Sequence, residues 1–459
     1  MEQMTVKDII KATGGVLLCG EADLPLAHIC IDSKKVKGGE LFVPLVGERV
    51  DAHRFIPQAF DAGAAAVLTS RHHAMEDTHP WIQVEDTKKA LQAIGSYYRD
   101  RLSLPLVGIT GSVGKTTTRE MVGAALSAGF RVYKTPGNYN SQVGLPITLT
   151  EITSRDEIGV LELGMSMPGE MAVISRIARV DMAVITNVDV AHIEQLGSQE
   201  NIFREKMSIQ EGLREGGTLF LNGDDPMLQK AKAKAGCQTV YYGTGENCQY
   251  RAEDIRLEDG RAVFTAVCGP RRVPVRLNVR GRHFVHNALA ALAVADANGV
   301  PMEAAAGKLE GFTGFQGRQQ VYERDGITII DDAYNASPVS LTAALEVLLS
   351  FRKANRRIAV VADMKELGPE AASFHENIGI WLAAHPVEAL FTLGELAKRL
   401  GQKAMEGSSG HWSHFPQGQR EGLYQELAGF LRPGDCVLLK GSNSMKLGEV
   451  AARLVSGGK

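Results

Sequence analysis

The sequence lacks the cysteine patterns that mark metal-bound or disulfide-bonded proteins. No CxxC pair occurs, and the chain's 6 cysteines are scattered at Cys19, Cys30, Cys237, Cys248, Cys268 and Cys436. This spacing excludes a zinc-finger site and a disulfide framework. It favours a reducing compartment, so we expect a cytoplasmic protein.

An excess of one charge and long apolar runs are also missing. The net charge is −3, without the basic excess typical of nucleic-acid-binding proteins. The first residues, MEQMTVKDIIKATGG, lack an apolar core of signal-peptide length. The sequence contains no uninterrupted run of about 18 apolar residues, so no membrane span is expected. We therefore expect neither nucleic acid nor a membrane as partner. Binding of an anionic substrate would need Lys and Arg side chains and metal ions placed locally at its site.

The chain of 459 residues exceeds one ordinary core, and its patterns divide it into three regions. Residues 1–84 begin with the helical segment VKDIIKATGG and continue with short strands, which predicts a small α/β domain. Residues 85–314 alternate strands with helices, which predicts a largely parallel sheet. Within them, alternating polarity at 250–280 predicts a small antiparallel insert.

Residues 315–459 alternate strands such as RIAVVADM and DCVLLKG with helices, which predicts another parallel sheet. The glycine-rich junction GFTGFQGR is typical of a hinge. Residues 401–420, GQKAMEGSSGHWSHFPQGQR, predict a polar loop. The expected fold class is therefore α/β with three domains.

The most informative segment, Gly108 to Glu120, reads GITGSVGKTTTRE after the apolar stretch LPLV. Gly114 lies six positions after Gly108, where the strict P-loop pattern has five, but the GxxGKTT core is intact. Such a turn closes backbone N–H groups around phosphate, while the lysine adds charge and the first threonine a hydroxyl for Mg²⁺. It predicts nucleoside triphosphate binding, with an ordinary strand–helix turn as the alternative. The candidate contacts are Thr110, Gly111, Ser112, Val113, Gly114, Lys115, Thr116 and Thr117.

Polar side chains follow several of the predicted strands. Ligand sites in open parallel sheets lie at the carboxyl ends of strands, so these side chains are candidates for one shared site. They are Glu162, Asn187, Asp189, Asp331, Asp332, Asp363, Lys440 and Ser442. Glu162 is where a P-loop domain usually holds Mg²⁺, although a strand-end acid capping a loop is the alternative.

Four further residues are candidates at this point, and two of them have two interpretations. His192 follows a strand and is either a structural loop residue or a ligand of a second Mg²⁺, which prefers oxygen. Lys206 lies in a predicted helix, where a solvated face is the default. Arg318, in the hinge segment QGR, would either contact a γ-phosphate on domain closure or form an interdomain salt bridge. Asn287 also lies near this junction.

Longer motifs extend the pattern in a fixed order: GSVGKTT, TPGNYNSQVGLP, LELGMSMPGEM, NVDVAHIEQLGSQENIFREK, GRHFVHNALAALAV and GRQQVY. In this order they resemble the Mur ligases, the ATP-dependent amide-forming enzymes of peptidoglycan precursor assembly. IIDDAYNASPVSLTAAL, VADMKELG and LLKGSNSMKLGEV resemble the branch that adds D-alanyl-D-alanine to UDP-N-acetylmuramoyl-tripeptide. IDSKKVKGGELFVPLVGERVDAH is similar to that branch's nucleotide-sugar domain. The chain departs from the usual family pattern at Ala52, Ser141 and Phe284.

The resemblance covers nearly the whole chain and implies the role of each region. Residues 1–84 would bind the UDP-sugar substrate, residues 85–314 would form the ATP-binding P-loop domain, and residues 315–459 would form a Rossmann-like ligase domain. The implied product forms through an acyl phosphate. We further expect a monomer that needs ATP and two Mg²⁺ ions.

The resemblance also implies a metal site. Thr116 and Glu162 would hold one Mg²⁺ and His192 a second, while Lys206 would be a carbamylated lysine assisting them. Carbamylation requires the neutral amine, which is scarce at neutral pH for a lysine with a pKa of about 10.4. Burial near the site would lower that pKa, so this role depends on Lys206 being buried.

Contacts to the substrates follow from the same resemblance. Asn287 would contact the adenine, Arg318 a phosphate, and Asp332 the nucleotide from the C-terminal domain. Ser33 would contact the uridine nucleotide and Asn138 the acyl end of the muramyl substrate. Asn335 and Lys440 are expected at the edge that closes over the ATP. With these assignments, Lys115, Lys206, His192 and Asn138 are the candidate catalytic residues.

Two other functions stay open from the residues alone. The first is a sister ligase that adds single amino acids, including the folylpolyglutamate type, which shares the P-loop and the metal histidine. The second is a P-loop regulator that hydrolyses ATP without joining a carboxylate to an amine. The third residue of the accepted tripeptide, diaminopimelate or lysine, is not decided by the sequence.

Overall fold

The computed structural model of the protein describes residues 1–406 and 410–457. The amino-terminal elements are α1 (Val6–Thr13), β1 (Val16–Cys19), β2 (Ile29–Cys30), β3 (Leu41–Phe42), α2 (Ile56–Asp61), β4 (Ala66–Thr69) and β5 (Trp81–Gln83). Their sheet has the order β1-β5-β4-β3-β2, parallel except for the β1–β5 pair. The predicted first helix is confirmed. It ends at Gly14, whose φ of 66° suits a residue without a Cβ.

The central elements surround one large sheet. They are α3 (Thr87–Arg101), β6 (Leu106–Thr110), α4 (Lys115–Leu126), β7 (Val132–Lys134), α5 (Gly144–Thr150), β8 (Ile158–Glu162), α6 (Glu170–Ala178), β9 (Met182–Ile185), α7 (Ile193–Leu196), α8 (Gln199–Met207), β10 (Thr218–Asn222), β11 (Gln238–Gly243), β12 (Tyr250–Glu258), β13 (Arg261–Cys268), β14 (Arg271–Arg280), α9 (Phe284–Ala297) and α10 (Met302–Glu310). The sheet order is β14-β13-β12-β11-β10-β9-β6-β8-β7. β6 and β8 are buried along their whole length, as expected for parallel strands covered on both faces.

The antiparallel insert predicted at 250–280 is confirmed. β12 pairs antiparallel with β13, and β13 pairs antiparallel with β14. Every second residue of β14 is buried, from Val273 to Val279, which is the period of a strand with one face on the core. The insert extends the central sheet, because β12 also pairs in parallel with β11.

The C-terminal elements build a further sheet. They are β15 (Gln320–Arg324), β16 (Ile327–Asp331), α11 (Pro338–Leu349), β17 (Arg356–Ala362), α12 (Ala371–Ala384), β18 (Ala389–Leu393), α13 (Glu395–Ala404), β19 (His411–Phe415), α14 (Arg420–Phe430), β20 (Asp435–Lys440) and α15 (Leu447–Ser456). The order is β15-β16-β20-β17-β18-β19, parallel except for the β15–β16 pair. The predicted α/β fold class with predominantly parallel sheets is confirmed.

The prediction of a polar loop over 401–420 is wrong for half of that segment. α13 continues to Ala404, β19 follows at His411–Phe415, and α14 begins at Arg420. β19 pairs with β18 at the edge of its sheet, with His411 opposite Ala389. A strand paired on one side needs few apolar residues, so its composition looks like that of a loop. Residues 407–409 lie outside the described residues.

Helix α3 joins the first region to the central one. Its Leu91 and Ile94 belong to the amino-terminal core, together with Ile9 of α1. On its other side Gly95 lies against α5, where an added Cβ would be 2.7 Å from Pro146. The two regions therefore share a packed interface. Among the described residues, no helix has both the length and the apolar character needed to cross a membrane.

Candidate active site

The loop between β6 and α4 is shaped by two glycines. Gly111 has a φ of 150°, and a Cβ there would lie 1.8 Å from Thr186 Oγ1. Gly114 has a φ of 84° and caps α4, which begins at Lys115. The strand, glycine turn and helix expected for Gly108 to Glu120 are thus confirmed. The positive end of the α4 dipole faces the turn, as an anion site requires.

The residues after β9 hold this turn in place. Val113 N–H donates to Asn187 Oδ1 at 2.9 Å, and Asn187 Nδ2 donates to Val113 O at 3.0 Å. Thr186 Oγ1 also donates to Val113 O, at 2.6 Å, and Ser112 Oγ donates to Asp189 O at 3.0 Å. The turn is therefore braced before any ligand arrives. The two hydrogen bonds between Asn187 and Val113 were not predicted from the sequence. The position of Asn187 just after a strand was the one feature that could have indicated them.

Replacing Asn187 by alanine is expected to weaken ADP binding about thirtyfold, since two hydrogen bonds worth about 1 kcal/mol each are lost from the turn. Titration calorimetry with ADP and Mg²⁺ measures this change. Asn298→Ala is the matched control, because its side chain donates to Val294 O at 2.7 Å at the far end of α9. Equal ADP affinities in the Asn187 variant and the parent would contradict the bracing role.

Lys115 is folded back onto the turn. Its Nζ donates to Gly111 O at 2.7 Å and to Ser112 O at 3.3 Å. Burial lowers the pKa of the ammonium, the Glu162 carboxylate opposes that shift, and Arg318 adds to it. The ammonium thus rests on carbonyl groups in the position where phosphate oxygens would replace them.

Glu162 ends β8 and is only 3% exposed. Its Oε2 accepts from Arg119 Nη1 at 3.2 Å, and its Oε1 accepts from Asn140 Nδ2 at 2.8 Å. Arg119, itself 1% exposed, also donates to Gly137 O at 2.9 Å and to Glu120 Oε1. The carboxylate therefore has a structural role in the described state. Arg119 was not predicted as a site residue, because nothing in the P-loop motif marks it.

His192 lies at an interdomain contact. It has a φ of 64° and precedes α7, and its Nδ1 makes a short contact with Glu366 Oε2 of the C-terminal region. Glu194 N–H donates to Glu366 O at 3.3 Å in the same contact. The hydrogen bond to His192 is the largest influence on Glu366 and lowers the pKa of its carboxyl. Glu366 was not predicted, although it belongs to the quoted motif VADMKELG.

Lys206 on α8 is 1% exposed, so the interpretation as a solvated side chain is wrong. Among the described residues its ammonium has no ion-pair partner. Burial is the main cause that lowers its pKa well below the ordinary value; Lys115 adds to the shift, while Glu205 and Asp189 oppose it. The burial on which the carbamylation expected from the sequence depends is therefore present. Asp189 Oδ2 is buried nearby without a hydrogen-bond partner among the described residues.

Three adjoining spaces surround the turn, and Arg318 lines all of them. The inner cavity, about 160 Å³, lies between Gly114, Asn287 of α9 and Val339 of α11. The middle cavity, about 340 Å³, lies between Lys115, His192 and Ser442. The outer cleft, about 1060 Å³, runs from Thr116 and Asn138 to α15. These names are kept below.

Arg318 connects the spaces without an acidic partner among the described residues. Its Nη2 lies 3.5 Å from Thr116 Oγ1, and its guanidinium stacks over the Tyr334 ring at 4.1 Å from the centroid. The interdomain salt bridge considered from the sequence is therefore not formed in this state. The guanidinium stays free to bind an anion at the mouth of the P-loop.

The carboxyl edge of the C-terminal sheet faces the turn. Lys440 Nζ donates to Asp332 Oδ2 at 2.6 Å and to Asn335 O at 3.0 Å. Gln319 N–H donates to Asp332 Oδ1 at 3.2 Å, next to Arg318. Burial lowers the pKa of Lys440 and the Asp332 carboxylate opposes that change. Asp332 and Lys440 line the inner cavity, and Asn335 lines the other two spaces.

Two predicted substrate contacts lie at different distances from the turn. Asn138 lines the outer cleft together with Thr116. Ser33 belongs to the amino-terminal region, where its Oγ donates to Gln58 Oε1 at 3.1 Å, and it lines none of the three spaces. A substrate that touches both residues must therefore extend beyond the outer cleft.

Family models match three successive parts of the chain. They are described as the Mur ligase family, catalytic domain (residues 25–99), the Mur ligase middle domain (residues 109–295) and the Mur ligase, glutamate ligase domain (residues 317–443). The chain is 38% identical to the UDP-N-acetylmuramoyl-tripeptide–D-alanyl-D-alanine ligase of Bacillus subtilis, covering 99% of each chain.

Solved structures give the same result. MurF from Acinetobacter baumannii superposes with a TM-score of 0.88 at 30% identity, covering 98% of each chain. MurF ligase from Thermotoga maritima in complex with ADP superposes with a TM-score of 0.82 at 30% identity, covering 95% of this chain and 99% of that one. The agreement extends through all three regions of the fold.

Proposed function

This chain belongs to the Mur ligase family, and on that premise we propose that it joins D-alanyl-D-alanine to UDP-N-acetylmuramoyl-tripeptide using ATP. The reaction belongs to peptidoglycan precursor synthesis, and the enzyme works in the cytoplasm as a monomer. The similarity to the ligase of B. subtilis over the full length supports the choice of branch.

The observation that carries the proposal is the meeting of three spaces at Arg318. A ligase of this kind must bring a nucleotide, a carboxylate and an amine to one point, which is mainly a problem of positioning. The inner cavity takes the nucleoside of ATP, and the P-loop takes its phosphates. The outer cleft, which contains Asn138, takes the acyl end of the muramyl substrate. The middle cavity, between Lys115 and Ser442, remains for the dipeptide.

The three regions divide the substrates among them. Residues 1–84 bind the UDP-sugar and include Ser33, residues 85–314 bind ATP, and residues 315–459 bring the incoming amine. Ser33 lies in the amino-terminal region and lines none of the three spaces, which suits a substrate that carries a nucleotide at one end and a tripeptide at the other. Asn287 contacts the adenine and Asp332 the nucleotide from the opposite domain.

The donor groups at the turn suit Mg²⁺. Thr116 Oγ1 and the Glu162 carboxylate are oxygen donors of the kind that Mg²⁺ accepts, with phosphate oxygens and water completing its shell. When bound, the ion neutralises phosphate charge. Among the described residues no group of three or more His, Cys, Asp or Glu side chains could hold a metal alone, which fits an ion held largely by its substrate. His192 would hold a second ion once its contact with Glu366 is broken.

A carbamate on Lys206 fits the same site. The amine is buried, its pKa is lowered and it lacks an ion-pair partner among the described residues, which favours the neutral form. The neutral nitrogen would add to the carbon of CO₂ and release one proton to solvent, which gives the carbamate anion. That anion would lie near Lys115, which already influences the Lys206 amine. The carbamate provides the oxygen donors that Mg²⁺ prefers and that a lysine lacks.

The chemistry follows from this arrangement. The γ-phosphoryl group passes to the free carboxylate of the tripeptide, which forms an acyl phosphate and releases ADP. The amine of D-alanyl-D-alanine then attacks the acyl carbon, and phosphate leaves from the tetrahedral intermediate. Lys115 and Arg318 neutralise the charge that accumulates on the phosphoryl group. Closure of the C-terminal edge, with Asp332, Asn335 and Lys440, excludes water from the acyl phosphate.

The test is phosphate release from ATP, with the UDP-linked tripeptide and D-alanyl-D-alanine omitted in turn. We expect release to need both, with a product heavier than the tripeptide substrate by one dipeptide less water in mass spectrometry. Release with single amino acids instead of the dipeptide would identify a sister ligase. Release that needs neither acceptor nor amine would support the regulator and contradict the C-terminal assignments.

A further inference from the structure

A histidine–aspartate pair outside the P-loop opens onto the inner cavity. His286 Nε2 lies 2.7 Å from Asp224 Oδ2. His286 belongs to α9 and lines the inner cavity, while Asp224 follows β10. Neither residue belongs to the P-loop, the metal donors or the C-terminal edge described above. The chemistry proposed so far does not use the pair.

Asp224 is held in a fixed position by its own loop. Its Oδ2 accepts from Thr244 N–H at 2.7 Å and from Thr244 Oγ1 at 2.9 Å, and its Oδ1 accepts from Gly245 N–H at 3.0 Å. A Cβ on Gly243 would lie 2.7 Å from Asp224 Oδ1, so glycine at that position leaves room for the carboxylate. Partial burial opposes ionisation, yet the bonds from His286 and Thr244 hold the pKa of Asp224 below its usual range. The carboxylate is thus a charged, rigid acceptor for one ring nitrogen.

Helix α11 contributes two apolar side chains to the lining of the inner cavity. Val339 of α11 is an apolar residue that is nevertheless 55% exposed, and it lines the cavity beside Ala343. On the side of α9, Phe284 and His286 line the same space. A flat aromatic ligand between an aliphatic surface and an imidazole would cover the exposed valine. The phosphate-binding turn adjoins this space, since an added Cβ on Gly114 would lie 3.5 Å from Asn287 Oδ1.

We propose that His286, positioned by Asp224, contacts the purine base of the bound nucleotide and contributes to the choice of base. The imidazole uses Nε2 to bind Asp224, which orients the ring and leaves its face and Nδ1 for the base. Val339 closes the other side when the C-terminal region is in place. This inference rests on the proposed function for the identity of the nucleotide. It adds a residue that selects the base to those that bind phosphate.

The experiment compares His286→Ala, Asp224→Asn and the double variant with the parent enzyme. We expect KM for ATP to rise about tenfold in each single variant and no further in the double variant, because the two residues act as one unit. KM values for the UDP-linked substrate and for the dipeptide should not change, and kcat should change less than KM for ATP. The preference for ATP over GTP, as a ratio of kcat/KM values, should fall in all three variants.

The matched control is another histidine–aspartate pair of the same chain. His79 Nδ1 lies 2.9 Å from Asp77 Oδ1 in the amino-terminal region, remote from the three spaces. His79→Ala and Asp77→Asn should leave KM for ATP unchanged. An unchanged KM for ATP in the His286 and Asp224 variants, or an equal rise for all three substrates, would overturn the proposal.

ADP binding by calorimetry separates this inference from the proposed ligase activity. A parent protein that binds ADP but joins no substrates, with ADP affinity lost in His286→Ala, would contradict the ligase and support the contact with the base. A ligase whose ADP affinity and ATP-to-GTP ratio are the same in His286→Ala would contradict only the contact.

Discussion

Replacing Lys115 by methionine should reduce kcat/KM for ATP by about a thousandfold or more, the effect of losing a main electrostatic contact to the transferred phosphoryl group. The Lys115 ammonium lies over the turn and is held by the carbonyl groups of Gly111 and Ser112. Methionine keeps the aliphatic part of the side chain but carries no charge. Coupled phosphate release in the complete substrate mixture measures the loss.

The fold should survive this change, because a partly buried charge with no ion-pair partner among the described residues costs stability and its removal relieves that cost. Circular dichroism and binding of the UDP-linked tripeptide, which depends on residues 1–84, should match the parent. Lys308→Met, an exposed position on α10, is the control for removing a lysine. Near-normal turnover in the Lys115 variant would rule out the role assigned to the P-loop.

Alanine at Lys206 should reduce turnover by about a hundredfold or more, because the charge of the proposed carbamate near the phosphates is lost. Short carboxylic acids such as formate or acetate should restore part of the activity, since they supply the missing oxygens in the space left by the side chain. Removal of CO₂ should inactivate the parent enzyme, and bicarbonate should reactivate it. Burial lowers the pKa of Lys206, so reactivation should proceed near neutral pH, where an exposed lysine with a pKa of about 10.4 is almost fully protonated.

Lys230→Ala, at an exposed position, should neither lose activity nor respond to carboxylic acids. A carbamate signal in nuclear magnetic resonance spectra after equilibration with isotope-labelled bicarbonate should be present in the parent and absent from the Lys206 variant. Undiminished activity of the parent at rigorously low CO₂ would count against the carbamate, and failure of every carboxylic acid to restore the variant would add to that evidence.

Local sequence patterns were sufficient to predict most helices and strands and the P-loop. The turn from Gly111 to Thr117 depends on backbone conformations that few residues other than glycine adopt, so its shape is encoded within seven positions. The alternation of apolar and polar residues in β14 likewise predicts a strand with one buried face, and the apolar runs of β6 and β8 predict strands buried on both faces. The same reasoning failed at β19, because a strand on the edge of a sheet has little apolar surface to bury.

The sequence by itself thus determined the α/β fold class, the phosphate-binding turn and the polar strand ends that surround it. Only the tertiary structure decided which partners those residues have. Arg119 pairs with Glu162 across 43 positions of sequence, Asp224 with His286 across 62, and His192 with Glu366 across 174. The burial of Lys206, which lowers the pKa of its amine, depends in the same way on the packing around α8. Such contacts arise where separate elements meet, and no local period in the sequence records them.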